Sequence, residues 1–291
     1  MARKIFIGNY KGGVGKTTFT YNMGCILKEK QEDNKVLLID LDPQSSLSEI
    51  CFSTKTCGKF DELGEKETLN YVIEMYHKGV RRKVFRGLNL KVEKLIKNNG
   101  NVDFIPSSYF YKSGGLDIQC LSMVRDINNI MIFKNFFEDT KLDKMYDYIL
   151  FDCPPSNNII TLSAFYVCDY YVIPTIMDSL STKGVTHYKE MLYKYYNKYL
   201  RGDKDLADAA RKMEPKILGV FESKRKKGVN TDNFREILSD KNFKLFETVI
   251  YDYKEISTSL ETGQPTNKHR ADFDKLINEI LNQIHVLEES V

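Results

Sequence analysis

The sequence predicts an α/β fold, a mostly parallel, twisted sheet with helices on both faces. Two patterns carry this expectation. Short apolar runs rich in β-formers alternate with longer segments of helical period, as strands joined by crossover helices do. Several of those runs also end in Gly, Asp or Pro, and in such sheets ligands sit just beyond the carboxyl ends of the strands.

The expected strands are Lys4–Gly8, Val36–Asp40, Val102–Ile105, Tyr148–Asp152, Tyr170–Pro174, Ile217–Phe221 and Thr248–Ile250. Behind the first, Phe19, Met23, Ile26 and Leu27 recur at i, i+4, i+7 and i+8, one stripe of a helix beginning near Lys16. Residues 53–100 lack strong periodicity and are rich in Lys, Glu, Gly and Asn, which predicts a loop-plus-helix insertion between two strands. Near the end, Phe273, Leu276, Ile277, Ile280, Leu281, Ile284 and Leu287 form a second stripe. Its opposite face carries Asp272, Asp274, Asn278, Glu279, Asn282 and Glu288. A helix lying on a membrane carries Lys and Arg there, so core packing is expected instead. The sheet starts within the first few residues, leaving no room for an N-terminal accessory domain; 1–291 is expected to be one domain.

Composition bounds the function classes. Of 291 residues, 42% are hydrophobic and 29% charged, as in ordinary globular proteins, which excludes disorder as the main state. Lys and Arg number 43 against 40 Asp and Glu, a net charge of +3, so any binding to nucleic acid or anionic membrane must come from local patches. Cys25, Cys51, Cys57, Cys120, Cys153 and Cys168 form no CxxC pair, and His77, His187, His269 and His285 show no zinc-like spacing. Free thiols in a reducing cytoplasm follow. No run approaches the ~18 apolar residues of a membrane span, and no signal peptide is evident.

The chemistry concentrates in Tyr10-Lys11-Gly12-Gly13-Val14-Gly15-Lys16-Thr17-Thr18, between an apolar strand and a helix. Glycines let backbone N–H groups converge on anionic oxygens, and the helix N-terminus adds partial positive charge. Lys16 is placed to reach the β- and γ-phosphates of a nucleotide, and the Thr17 hydroxyl to coordinate Mg²⁺. Tyr10 stands where the usual G-x-x-x-x-G-K-[ST] pattern has its first glycine, and a second lysine, Lys11, lies inside the loop. Asp40 and Asp42 end the second strand. Asp152 ends a nearly continuous apolar strand, before Cys153, Pro154 and Pro155. By position Asp152 is a Mg²⁺-holding carboxylate, and the Pro-Pro stiffens a segment able to sense the γ-phosphate.

Here the chain resembles the ParA/MinD-type deviant Walker A P-loop ATPases, most of all the Soj-like ParA branch. The blocks that carry the resemblance are KGGVGKTT (11–18), LLIDLDPQSS (37–46) and YDYILFDCPPS (146–156), with weaker similarity at 101–108, 172–185 and 248–266. The resemblance implies ATP and Mg²⁺ as cofactors. It implies nucleotide contacts from Lys11, Gly12, Gly13, Val14, Gly15, Lys16, Thr17 and Thr18, and metal contacts from Thr17, Asp40 and Asp152. Asp42 would orient the attacking water, with Lys11 and Lys16 the other catalytic residues and Lys11 reaching across a face-to-face dimer. Hydrolysis would then be slow alone and stimulated by a ParB-like partner. The ATP-bound homodimer would bind DNA non-specifically, placing the protein in the cytoplasm on the nucleoid, with no membrane partner. MinD-like membrane association and nitrogenase-reductase-like electron transfer are the alternatives; the acidic last helix and the scattered cysteines speak against them. The local DNA-binding candidates are Lys224, Arg225, Lys226 and Lys227, extended by Lys268 and Arg270, with Arg81, Arg82 and Lys83 next.

Overall fold

The structure is a computed structural model that describes residues 1–31, 33–54, 56–82, 90–112, 114–198 and 214–290. Its strands are β1 (Arg3–Ile7), β2 (Val36–Asp40), β3 (Lys97–Asn98), β4 (Asp103–Ile105), β5 (Tyr148–Asp152), β6 (Tyr170–Thr175) and β7 (Lys216–Glu222). They form one sheet in the order β3-β4-β2-β5-β1-β6-β7. Every pairing is parallel except β3 with β4. The expected α/β architecture is present.

The apolar strand runs divide alternately between two cores, because successive side chains point to opposite faces. Ile5, Ile7, Leu38, Leu150 and Val172 meet α1 (Lys16–Lys30), α2 (Ser46–Phe52), α12 (Lys254–Glu261) and α13 (Arg270–Glu289). Phe6, Leu37, Ile39, Ile149 and Phe151 meet α3 (Leu69–Arg82), α7 (Ile132–Thr140), α9 (Ile159–Val167) and α10 (Ser179–Tyr196). Burial on both faces explains why these strands are unbroken apolar runs.

Three expectations are corrected. Helix α1 buries every residue from Phe19 to Leu27, not one stripe, because it is enclosed by the sheet, α12 and α13. The insertion contains a periodic helix after all: Leu69, Val72, Ile73 and Tyr76 of α3 are buried at i, i+3, i+4 and i+7. The insertion also supplies the short antiparallel edge strand β3. Finally, Thr248–Ile250 is no strand. The segment follows β7 through isolated bridges at Leu245 and Tyr251. The N–H groups of Glu247 and Thr248 donate to the Glu279 carboxylate of α13 at 2.7 and 3.0 Å, which takes them out of any ladder.

As expected, α13 packs its stripe inward, with Phe273, Leu276, Ile277, Ile280 and Ile284 buried and Leu281 and Leu287 partly so.

Candidate functional site

Strand register brings the candidate residues to one level. Ile7, the last residue of β1, pairs with Asp152, and Asp152 pairs with Asp40. The loop that follows β1 therefore stands beside Asp152, with Asp40 one strand further, at the carboxyl edge of the sheet where the strand order switches.

That loop is tied down on both sides. Buried Asn9 donates its amide to the Pro174 carbonyl (2.8 Å), and its oxygen accepts the Lys11 N–H (3.1 Å). Ser223, at the end of β7, donates its hydroxyl to the Val14 carbonyl at 2.7 Å. Gly13 and Gly15 have φ of 73° and 79°, in the left-handed region that glycine enters without a Cβ penalty. Gly15 then caps α1. Tyr10, in place of the usual glycine, stands half exposed and packs edge-on against Tyr188 with ring centroids 5.7 Å apart. Asn9 and Ser223 escape sequence reasoning, because their partners lie far along the chain.

The charged core follows. Lys16 is 6% exposed and donates to the Lys11 carbonyl at 3.1 Å. Burial pushes its ammonium down, while Asp152 and Asp42 pull the other way. Asp152 is fully buried, and burial, with Asp40 adding its charge, lifts its carboxyl to about 8. Thr20 donates to its Oδ1 at 3.2 Å, whereas Oδ2 has no hydrogen-bond partner among the described residues. Asp40 differs: Oδ2 accepts the N–H and hydroxyl of Ser48 (2.9 and 2.6 Å), and Oδ1 accepts the N–H of Asp42 (3.0 Å). Burial raises its carboxyl to about 6, with Ser48 opposing. Both Asp40 oxygens are thus engaged in bracing the turn that carries Asp42. Ser107 completes the brace, donating its N–H to Ser48 Oγ (2.9 Å) and its hydroxyl to the Asp42 carbonyl (3.2 Å). Cys153 is a buried thiol, raised well above its ordinary range by burial.

These donors fit a divalent cation of the Mg²⁺ type. Oδ2 of Asp152 is a buried carboxylate oxygen left unfilled, adjacent to the Thr17 side chain that partly offsets its raised carboxyl. Among the described residues no group of three His, Cys, Asp or Glu side chains could cage a metal alone. Mg²⁺ bound through one carboxylate, a hydroxyl and phosphate oxygens needs no such cage.

Lys11 points away from its own loop. Its Nζ pairs with Asp178 Oδ2 at 2.6 Å and donates to Ser181 Oγ at 2.7 Å, at the start of α10. Gly12 and Gly13 are exposed in the loop, whereas Thr18, in the first turn of α1, lines a narrow cleft together with Phe221, Ile250 and Tyr253.

The basic candidates separate. Arg225 hydrogen-bonds the Val229 carbonyl at 3.0 Å and lies 3.6 Å from buried Glu222. Arg270 pairs with Glu29 at 2.6 Å, and Lys268 with Glu255. Lys224, Lys226 and Lys227 are exposed, Lys227 over the Tyr253 ring. Lys83 and the side chains of Arg81 and Arg82 lie outside the described residues.

The AAA_31 family model, described as AAA domain, matches residues 2–202. The virulence plasmid ParA family protein pGP5-D of Chlamydia psittaci is 30% identical over 183 residues, 62% of this chain and 60% of that protein. The match therefore spans less than two thirds of that relative's length. The sporulation initiation inhibitor protein Soj of Bacillus subtilis is 27% identical over 267 residues, 91% of this chain and 90% of Soj. Among solved structures, a plasmid partition protein of Borrelia burgdorferi bound to AMPPNP superposes with TM-score 0.70 at 20% identity, covering 97% of this chain and 100% of that one. Apo McdA of Cyanthece gives TM-score 0.70 at 19% identity, covering 98% and 100%. The chain thus belongs to the AAA_31 family and carries the ParA-like P-loop fold.

Proposed function

We propose that this chain, acting as a single ATPase domain over 1–291, binds ATP with Mg²⁺ and dimerises around it. In that state it binds DNA non-specifically, until a ParB-like partner stimulates hydrolysis. The observation that supports this most is the register of the P-loop with Asp152 and Asp40, with buried Lys16 set between loop and carboxylates. Gly12, Gly13, Val14 and Gly15 would offer backbone N–H groups to the phosphates, with Lys16, Thr17 and Thr18 completing the cradle. Mg²⁺, held by Thr17 and Asp152 with Asp40 behind them, would neutralise phosphate charge. Asp42, set by its brace, would orient the attacking water. ATP brings four negative charges; the loop lysine Lys11 would answer the remaining one across a dimer. Exposed Tyr10 and Leu180 beside Lys11 and Asp178 offer apolar surface for that contact.

If each protomer neutralises about three phosphates, a dimer meets about six, and the salt slope of DNA binding is near −5. Joining two weak patches makes the second contact intramolecular, so dimerisation switches affinity steeply. The described helices include none long and apolar enough to cross a membrane, and the outer face of α13 is acidic, which disfavours the membrane-associated reading. The buried cysteines Cys25, Cys51, Cys153 and Cys168 likewise give no support to an iron–sulfur dimer.

The test is an Asp42→Ala variant followed by sedimentation, phosphate release, and pelleting with DNA or with anionic liposomes, each with and without ATP. Doubled mass, lost turnover and ATP-dependent pelleting with DNA alone are expected. A particle that stays single under saturating ATP overturns the dimer, and binding to liposomes alone overturns the DNA reading.

A further inference from the structure

We propose that Lys224 is an additional cation of the nucleotide site, holding the phosphate nearest the nucleoside. This rests on the ATP-binding reading above. Lys224 follows β7 with φ of 52°, a left-handed conformation that a lysine enters only when its surroundings fix it. They do. On one side Ser223 donates its N–H to the Thr175 carbonyl (2.8 Å) and its hydroxyl to the Val14 carbonyl (2.7 Å). On the other, the Arg225 N–H bonds the Ile250 carbonyl at 3.1 Å.

The strained turn lays the lysine stem against the phosphate loop: a Cβ built on Gly15 would sit 3.9 Å from Lys224 Cε. Gly15 caps α1, whose free N–H groups make that helix end positive, and Lys16 follows it. A lysine at the positive end of a helix is repelled unless an anion joins it. Yet the Lys224 ammonium has no ion pair or hydrogen bond among the described residues, whereas the neighbouring Arg225 is engaged with Glu222 and the Val229 carbonyl. The cleft that Lys224 lines supplies the rest. It is lined by Gly15 and Thr18 at the anion-accepting start of α1, by the apolar and aromatic Phe221, Ile250 and Tyr253, and by one carboxylate, Asp252. A nucleotide pairs an anionic end with an aromatic one, and Lys224 stands beside Gly15. The phosphate concerned is common to ADP and ATP, so both should feel the loss.

Lys224→Asn removes the charge with a residue that tolerates the left-handed turn, and Lys224→Gly removes it while relaxing the strain. ADP and ATP affinities are measured by calorimetry at about 50 mM and about 500 mM salt, since screening distinguishes a lost ionic contact from a packing change. Both variants should bind both nucleotides about tenfold more weakly at low salt, the loss of one charge-assisted contact, and the gap should narrow at high salt. Lys224→Arg should remain within about twofold of the unmodified protein. Unchanged nucleotide affinity overturns the proposal, with weakened DNA binding then assigning Lys224 to DNA; a loss independent of salt overturns it as well. Lys16→Ala keeps the two readings apart. If it abolishes nucleotide binding while Lys224→Asn binds normally, only the role of Lys224 falls. If the unmodified protein binds no nucleotide, the ATPase reading falls too.

Discussion

Ser48 does not belong to the phosphate loop, yet the structure makes it decisive for the turn that carries Asp42. Its hydroxyl donates to Asp40 Oδ2 at 2.6 Å and accepts the Ser107 N–H at 2.9 Å, with both serines at 0% exposure. Ser48→Ala removes a bond to a buried carboxylate, worth about 1.5–3 kcal/mol, and leaves the Ser107 N–H unpaired where water cannot reach it, costing about 1–3 kcal/mol. The backbone N–H of residue 48 still holds Asp40 at 2.9 Å, so the network loosens without collapsing. A destabilisation of about 3 kcal/mol follows, which lowers a urea midpoint by about 1 M for a slope near 3 kcal/mol/M. Because Asp40 Oδ1 accepts the Asp42 N–H, a displaced Asp40 also shifts Asp42. ATP turnover should fall more than about tenfold while nucleotide affinity changes less than about threefold, the signature of lost transition-state positioning. Ser53→Ala is the control, since its exposed hydroxyl donates to the Glu49 carbonyl on the helix surface. A Ser48→Ala midpoint within about 0.3 M of the unmodified protein would refute the reasoning, because buried unpaired groups cannot be that cheap.

Two further outcomes are expected. Replacing exposed Lys226 and Lys227 by Ala should reduce the magnitude of the DNA-binding salt slope by about four per dimer, about one for each lost phosphate contact, while Lys268→Ala, whose ammonium is already paired with Glu255, should change it little; equal slopes in all three proteins would place the DNA surface elsewhere. Glu74 is opposed by burial but takes hydrogen bonds from Lys112, Lys78 and Tyr111, which hold its carboxyl at about 2, below the ordinary 4.5. A depressed carboxyl adds stability above its unfolded value and loses it as pH falls, so Glu74→Gln should cost about 1 kcal/mol at pH 7 after solvent screening and almost nothing near pH 2. Thermal melts at the two pH values check this, and a deficit that persists in acid contradicts it.

The phosphate loop was legible in the sequence because everything it requires is local. A strand, a run of glycines, a lysine and a helix start occupy consecutive positions, and backbone conformation there follows from residue type. Asp40 and Asp152 were legible for a similar reason, as carboxylates closing apolar runs. Strand propensity alone misled at Thr248–Ile250, since the β-rich residues say nothing of Glu279, which takes the N–H groups of Glu247 and Thr248 from another element.

What the sequence by itself determined is the α/β layering, the loop and the identity of its charged neighbours. Only the tertiary structure decided which charges remain available. Arg270 and Arg225 look as free in the sequence as Lys226, yet Glu29 takes the first and Glu222 with the Val229 carbonyl the second. The same holds for Asn9 reaching Pro174 and for Ser223 reaching Val14. Backbone preference acts over a few residues, whereas an ion pair or a buried hydrogen bond joins whatever groups the sheet register brings within about 3 Å, however distant along the chain.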